Sequence, residues 1–270
     1  MIRGARDPYV IVALCALSVV LLAGGALITG THGLVEEIEL AGYSTSLAGR
    51  SQSQRHNARL SAKALNGTIV APGETFSFNR TVRSWTADRG YVKAPVSYDG
   101  ELVRAFGGGV CQTSTTLYNA ALLAGLPIAE RHAHVFAPSY VAPGRDAAVA
   151  QYDIDLRFRN PYSWPIRIQA GIVGDRLDVR VLGRERPALA VEVTTDVLST
   201  SVPGRVTYLI EGPAGMGGRR YLRSPGATGY RARAYRVFWQ EGHVIRRELL
   251  SDDTYQAMNR MVALAQARTP

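Results

Sequence analysis

Apolar and polar positions along the chain change between helical and strand periodicity, and glycine or proline marks most of the boundaries. Helical spacing predicts one helix at 54–65 and another at 113–123, each followed by a glycine that favours the backbone just past a helix end. Alternation predicts a strand at 149–160 and a hairpin that turns at Gly174. The pattern therefore predicts a mixed α+β domain.

Beyond about residue 183 the pattern changes to short β-like runs, separated by a glycine-rich loop and followed by a final helical segment. The runs lie at 190–193, 206–210 and 232–239, the loop at 212–218 and the expected helix at 254–267. We divide the chain into a cytoplasmic stub with an anchor (1–30), a connector (31–54), the mixed domain (55–182) and a β-rich C-terminal region with a terminal helix (183–270).

The longest uncharged stretch lies near the N-terminus. Residues 10–28 carry no charge, and this length is enough to cross roughly 30 Å of hydrocarbon as a helix. Arg3 and Arg6 precede it and favour a cytoplasmic N-terminus. We expect a single-pass anchor in the cell membrane with the main domain outside the cytoplasm. A cleaved signal peptide, with small residues at 23–26, is the alternative.

The formal net charge is +9, and arginine supplies most of it. Genome composition is the plainer explanation, and attraction to phospholipid headgroups or anionic wall polymers is the functional one. We expect no nucleic-acid partner, because no dense Lys/Arg run or recognition motif occurs. Cys15 lies in the apolar stretch, so Cys111 has no partner for a disulfide or a cysteine-only metal site. No metal or cofactor is predicted.

Cys111 follows a run of three glycines and precedes the helix predicted at 113–123, which Thr113 or Ser114 is expected to cap. The positive end of a helix dipole stabilises a thiolate, so this position suits a cysteine nucleophile. The glycine run lacks the Lys-Ser/Thr ending of a phosphate-binding loop, so nucleotide binding is not predicted.

A cysteine nucleophile needs a base and a group that orients the base. Two histidines follow on the alternating segment 128–135, and three aspartates follow at 146, 153 and 155. The order of Cys, His and Asp, with a helix before strands, resembles the plan of papain-like and transglutaminase-like thiol enzymes. The candidate catalytic residues are Cys111, His134, His132, Asp146 and Asp155. The plain alternatives are a buried core cysteine, hydrogen-bonded histidines, and aspartates in caps or turns.

Several motifs in this region also resemble one known family. They are NGTIVAPGETFSFN (66–79), GYVKAPV (90–96), GGGVCQTSTTLYNAALLAGLPIAERHAH (107–134), YVAPGRDAAV (140–149) and DIDLRFRN (153–160). Together they are similar to the VanW-like domain over about residues 55–170. The resemblance implies the bacterial envelope, peptidoglycan and vancomycin resistance. It transfers no assigned catalytic role.

Two hypotheses follow. In the first, an extracytoplasmic thiol enzyme acts on amide bonds of cell-wall peptides, with backbone N–H groups near Gln112 stabilising the oxyanion. In the second, a non-catalytic binding or scaffold module recognises a wall polymer. The candidate binding residues are Gly107, Gly108, Gly109, Gln112, Ser114, Arg131 and Arg145. The first hypothesis requires an accessible Cys111 with a histidine nitrogen near its sulfur and an aspartate behind that histidine.

Overall fold

The centre of the fold is a four-stranded antiparallel sheet with two helices packed on one face. A computed structural model describes residues 37–98, 101–204 and 220–264, which form three α-helices and fourteen strands. The helices are α1 (Gln52–Leu65), α2 (Phe78–Val82) and α3 (Val110–Leu123). The strands are β1 (Ile38–Ser46), β2 (Ile69–Val70), β3 (Thr75–Ser77), β4 (Lys93–Tyr98), β5 (Glu101–Phe106), β6 (Ile128–Glu130), β7 (Arg157–Arg159), β8 (Ile166–Val173), β9 (Arg176–Gly183), β10 (Ala190–Ser201), β11 (Arg220–Ser224), β12 (Gly229–Gln240), β13 (His243–Tyr255) and β14 (Met261–Leu264).

The central sheet has the strand order β1-β9-β8-β2. Strands β8 and β9 form the predicted hairpin around Gly174, and their inward positions alternate with exposed ones. The buried side chains of this face, such as Ile168 and Val179, pack in one cluster with Leu65 of α1 and Leu117 of α3. Removing these apolar surfaces from water holds α3 against the sheet.

Three smaller sheets surround this core, together with the β4–β5 hairpin. Strands β3, β7 and β6 form one sheet, β10, β12 and β13 form a second, and β11 pairs with β14. The C-terminal region contacts the preceding domain directly. The N–H of Gln256, which follows β13, donates to the carbonyl of Val135 at 2.8 Å. All of these elements belong to one compact unit, which begins at Glu37.

The mixed composition is confirmed, with strands predominating over helices. The helix predicted at 54–65 is α1, and the one predicted at 113–123 is α3, which begins earlier, at Val110. The long strand expected at 149–160 is wrong: only β7 is regular there, because Ala150 and Ile154 close a tight turn with each other.

The terminal helix expected over 254–267 is also wrong for its described part. Tyr255 ends β13, and Met261–Leu264 is the strand β14. The alanine, methionine and leucine of this segment favour a helix locally, but pairing with β11 satisfies their backbone groups instead. The predicted span at 10–28, the run at 206–210 and the loop at 212–218 lie outside the described residues. Among the helices that the structure describes, none is both long and apolar enough to cross a bilayer.

Candidate active site

The glycine run seats the start of α3 against two other elements. Gly109 caps the helix with a φ of 106°, and a Cβ there would fall 2.3 Å from the carbonyl oxygen of Gln54 in α1. A Cβ on Gly108 would fall 2.6 Å from the carbonyl oxygen of Pro95 in β4. Only glycine permits this approach, so the run fixes the first turn of α3 between α1 and the β4–β5 hairpin. The expected caps Thr113 and Ser114 are wrong.

An antiparallel pairing brings the segment that contains His134 next to the segment that contains Asp146. His132 and Ala148 form a bridge, and the N–H of Ala148 donates to the carbonyl of His132 at 2.8 Å. In this register His134 lies directly opposite Asp146. The first turns of α3 hold the same segment, because the Ser114 hydroxyl donates to the carbonyl of Ala147 at 2.5 Å. The helix start and both segments therefore converge.

Cys111, His134 and Asp146 meet at this point. The Asp146 carboxylate lies 2.5 Å from Nδ1 of His134 and also accepts the His134 backbone N–H at 2.8 Å. Asp146 thus fixes both the ring and the backbone of the histidine. The Cys111 thiol donates to the Val149 carbonyl at 3.4 Å, and the His134 imidazole lies close enough to the sulfur to perturb its ionisation. Because Asp146 engages Nδ1, Nε2 is the nitrogen left for the sulfur.

Asp146 is fully buried, and two further residues hold it. Arg131 donates to its Oδ1 from Nη2 at 2.8 Å and to its backbone carbonyl from Nε at 2.6 Å. The Tyr255 hydroxyl donates to Oδ1 at 2.5 Å. Arg131 also forms an ion pair with Asp253 at 2.6 Å. A buried carboxylate is stable only when paired and hydrogen-bonded, and this network supplies both conditions.

The same contacts shift the pKa values of Asp146, His134 and Cys111. Burial alone would raise the pKa of Asp146, but hydrogen bonding and the charge of His134, with the charge of Arg131, lower it to about 2. Burial alone would lower the pKa of His134, but hydrogen bonds to Asp146 and Cys111 raise it to about 10. Burial opposes ionisation of Cys111, yet His134 lowers the pKa of the thiol below its ordinary value. Each direction favours the charged form of its group, the carboxylate of Asp146, the imidazolium of His134 and the thiolate of Cys111.

The sulfur faces a cleft of about 250 Å³. The residues that line it include the glycine run and Pro95 and Val96 of the β4–β5 hairpin. The loop after His134 also lines it and contributes Tyr140. Burial and the charge of Cys111 raise the pKa of Tyr140, so its phenol stays protonated beside the thiolate. Half-buried Cys111 is therefore accessible through the cleft, as the enzyme hypothesis requires.

Two candidate catalytic residues lie away from Cys111. His132 turns to Glu130, with Nε2 3.0 Å from the Glu130 carboxylate. Asp155 accepts the Ser77 hydroxyl at 2.5 Å and the Asn79 N–H at 2.9 Å, so it holds the start of α2. Neither residue lines the cleft of Cys111, so the structure does not bring them together with it, and their catalytic roles stay predictions. Strand alternation would have placed both histidines on one face, but β6 ends at Glu130 and the chain is irregular beyond it.

Some of the candidate binding residues line the cleft of Cys111, and the others are buried or bonded elsewhere. Gly107, Gly108 and Gly109 line the cleft. Gln112 also borders it, but its amide donates into β1, to Thr45 and Ser46. Ser114 is fully buried. The Arg131 side chain is only 8% exposed, and Arg145 stacks on Tyr43 and donates to Asn119. Both arginine side chains are therefore engaged by neighbouring residues, and their role in binding stays a prediction.

A larger cleft, of about 590 Å³, lies on another part of the molecule. Glu130, Asp153 and Asp155 line it, and neither Cys111 nor His134 does. Size alone would favour this cleft as the site. The smaller one combines a thiol at a helix start, an oriented histidine and a buried carboxylate, so chemistry favours the smaller one.

Sequence reasoning missed four residues of the site: Arg50, Tyr140, Asp253 and Tyr255. Tyr255 and Asp146 are 109 positions apart, and no local periodicity connects them. Tyr140 is the first residue of the motif YVAPGRDAAV (140–149), and this position was the one signal in the sequence that could have pointed to it.

Comparison with known proteins agrees with the motifs. Residues 53–182 match the family described as VanW-like protein. Residues 53–182 therefore form a domain that is similar to VanW-like proteins. Over 132 residues it is 46% identical to the uncharacterized protein YoaR of Bacillus subtilis (strain 168), covering 49% of this chain and 44% of YoaR. It is 34% identical over 136 residues to the vancomycin B-type resistance protein VanW of Enterococcus faecalis (strain ATCC 700802 / V583), covering 48% of this chain and 50% of VanW.

This chain therefore spans about half the length of the curated relatives it matches. Among solved structures, the G5 domain of an IgA1 protease matches with 19% identity and a TM-score of 0.19, over 31% of this chain and 96% of the G5 domain.

Proposed function

We propose that this protein is a cysteine-dependent amidase or transpeptidase-like enzyme that acts on peptides of peptidoglycan. The observation that carries the proposal is the junction of Cys111, His134 and Asp146 at the N-terminus of α3. The likeness to a vancomycin-resistance protein supports a cell-wall peptide as substrate, since the resemblance connects the family with peptidoglycan.

In the proposed reaction the Cys111 thiolate attacks the carbonyl carbon of an amide. The first-turn N–H groups of Cys111 and Gln112 lack intrahelical acceptors and stabilise the oxyanion that forms. As the C–N bond breaks, the His134 imidazolium gives its Nε2 proton to the departing amine and a thioester remains on Cys111. Water or a second amine then attacks the thioester, His134 accepts the proton of the nucleophile, and the thiolate leaves.

Asp146 supplies orientation rather than a proton. Its carboxylate fixes the tautomer of His134 and stabilises the imidazolium, as the acid of a catalytic triad does. With its pKa near 2 it stays ionised throughout the reaction.

We further propose that the main domain works outside the cytoplasm and is anchored by residues 10–28. The uncharged stretch and the preceding arginines support this location. Alkaline phosphatase fused to the C-terminus should be active in intact cells, and the membrane fraction should retain the protein. An inactive fusion, despite full-length expression, would contradict an exported domain.

The enzymatic proposal is tested with purified peptidoglycan stem peptides and mass spectrometry. The wild type should cleave or cross-link them and form an acyl adduct on Cys111. Cys111→Ala should reduce turnover at least about a thousandfold, while Cys15→Ala, which removes the other thiol, should leave it unchanged. Turnover that survives in Cys111→Ala would exclude the thiol mechanism. Binding of the peptides without any turnover in the wild type would favour a recognition module.

A further inference from the structure

Arg50 is a cation placed in the cleft of Cys111. It lies between β1 and α1, and its backbone is fixed by a hydrogen bond from its N–H to the carbonyl of Leu47 at 3.0 Å. Its half-buried side chain lines the cleft together with Cys111 and His134. The guanidinium lies 5.0 Å from the centre of the Tyr140 ring, a geometry that stabilises an arginine on an aromatic face.

This guanidinium has no anionic partner within the described part of the chain. Its side-chain hydrogen bond, from Nη2 to the Ser139 hydroxyl, is long at 3.4 Å. The neighbouring arginine on α1, Arg55, pairs with Asp175 at 2.6 Å, and Arg131 behind the site pairs with Asp146 and Asp253. Arg50 therefore retains donors that point to no internal carboxylate, and arginine has five such donors in a rigid fork.

The small size of the cleft limits what Arg50 can bind. At about 250 Å³ it is below the 300–1,000 Å³ that is usual for drug-sized ligands. A group that reaches both Arg50 and the sulfur must therefore be short. Apart from Arg50, His134 and Cys111, the residues that line this cleft are uncharged. An anion in this cleft would meet two cations beside the anionic sulfur, and no fixed carboxylate.

We infer that Arg50 binds a carboxylate of the substrate within about one residue of the scissile amide, which makes it a specificity-determining residue for the proposed peptide reaction. This inference rests on the proposed function. A planar guanidinium pairs with a carboxylate through two parallel hydrogen bonds, and stacking on Tyr140 orients the fork in advance. The carboxylate comes from a C-terminal residue or from an acidic side chain, and the chemistry of recognition is the same.

Alkylation of Cys111 by two matched reagents tests this role without knowledge of the natural substrate. Iodoacetate and iodoacetamide both transfer a short group to the sulfur and release iodide, but only iodoacetate carries a carboxylate. We expect Arg50 to bind iodoacetate beside the thiolate, so the ratio of the iodoacetate rate to the iodoacetamide rate should be high. Mass spectrometry of the peptide that contains Cys111 excludes labelling of Cys15.

Arg50→Gln should reduce this rate ratio about tenfold, as expected for loss of a charge-assisted hydrogen bond. Arg50→Lys keeps the charge without the planar fork, and its ratio should be intermediate. Arg59→Gln is the matched control, because Arg59 is exposed on α1 and does not line the cleft. It makes the same change in net charge and should leave the ratio unchanged.

The two rates separate the two proposals. A ratio that stays the same in Arg50→Gln, while iodoacetamide still reacts rapidly, would overturn the role of Arg50 and leave the thiol mechanism intact. An iodoacetamide rate no faster than that of an ordinary cysteine would overturn the proposed function and this inference with it.

Protection experiments then identify the source of the carboxylate. N-acetyl-alanyl-alanine should protect Cys111 from iodoacetamide better than its C-terminal amide does if the terminal carboxylate is bound. N-acetyl-glutamyl-amide should protect better than N-acetyl-glutaminyl-amide if an acidic side chain is bound. Either preference should disappear in Arg50→Gln. Equal protection within both pairs, in the wild type, would count against carboxylate recognition.

Discussion

Asp146 binds His134 at two points, through the ring Nδ1 at 2.5 Å and the backbone N–H at 2.8 Å. The ring cannot rotate away without breaking the first contact, and the strand pairing of His132 with Ala148 maintains the second. The imidazole is therefore preorganised toward Cys111. Four predictions follow from how this arrangement is built.

Cys111 should react as a thiolate at a lower pH than an ordinary cysteine does. Because His134 lowers the pKa of the thiol, the thiolate forms below the ordinary cysteine pKa and is lost only as pH falls through the lowered value. The rate constant for iodoacetamide alkylation should therefore reach its plateau at a lower pH than it does for a free cysteine, whose pKa is about 8.5.

Replacement of the histidine supplies the contrast. His134→Gln should move the midpoint of the profile up toward about 8.5. His132→Gln should not move it, because His132 faces Glu130 and does not line the cleft. A wild-type midpoint equal to that of His134→Gln would show that no ion pair exists.

Asp146→Asn should reduce peptide turnover by about 10⁴-fold, because the histidine loses the group that holds its tautomer and stabilises its charge. The same change should raise the midpoint of Cys111 alkylation. Asp155→Asn removes a carboxylate that holds the start of α2 instead. It should lower the melting temperature while leaving the alkylation profile of the folded protein unchanged. An equal kinetic effect of both variants would contradict the assignment.

Asp146 should also contribute to the acid stability of the fold. Its folded pKa, about 2, is below its ordinary value, so the ionised carboxylate stabilises the native state above about pH 4. That stabilisation is lost as pH falls toward 2, and the shift corresponds to about 2 kcal/mol. Urea unfolding at several pH values should show a steeper acid loss for the wild type than for Asp146→Asn. Parallel curves would exclude the shift.

Gly109→Ala should destabilise the fold by about 3 kcal/mol or more, because its Cβ meets the Gln54 backbone and the residue has a φ of 106°. Gly67→Ala is the matched control. Gly67 also has a positive φ, 84°, but a Cβ there meets nothing within 4 Å. It should cost only the backbone strain, about 1 kcal/mol. Chemical denaturation measures both, and equal losses would show that close approach to α1 is unimportant.

The sequence predicted the parts of this site that depend on local pattern. Glycines before an amphipathic segment predicted a helix start at Cys111, because both signals lie within a few residues of it. The histidines could not be separated in this way. Alternation treats His132 and His134 as equivalent, whereas the structure separates them by ending β6 before both.

The remainder depends on contacts between distant parts of the chain. The choice of Asp146 over Asp155 follows from the register that sets residue 134 opposite 146, and register is not visible in composition. Arg50 lies 61 positions before Cys111, and Tyr255 lies 144 positions after it. The error at 254–267 has a similar cause, since the partner strand β11 lies outside that segment.

The hydroxyl of Tyr255 connects β13 to Asp146, and it also accepts the N–H of Gly144 at 2.8 Å. The match to the family ends at residue 182, yet this tyrosine and Asp253 lie well beyond it. A fragment cut at the family boundary would therefore leave Arg131 and Asp146 without two of their partners. If recombination exchanges the C-terminal region, the site is preserved only when the new region places an equivalent hydroxyl beside Asp146 and an equivalent carboxylate beside Arg131.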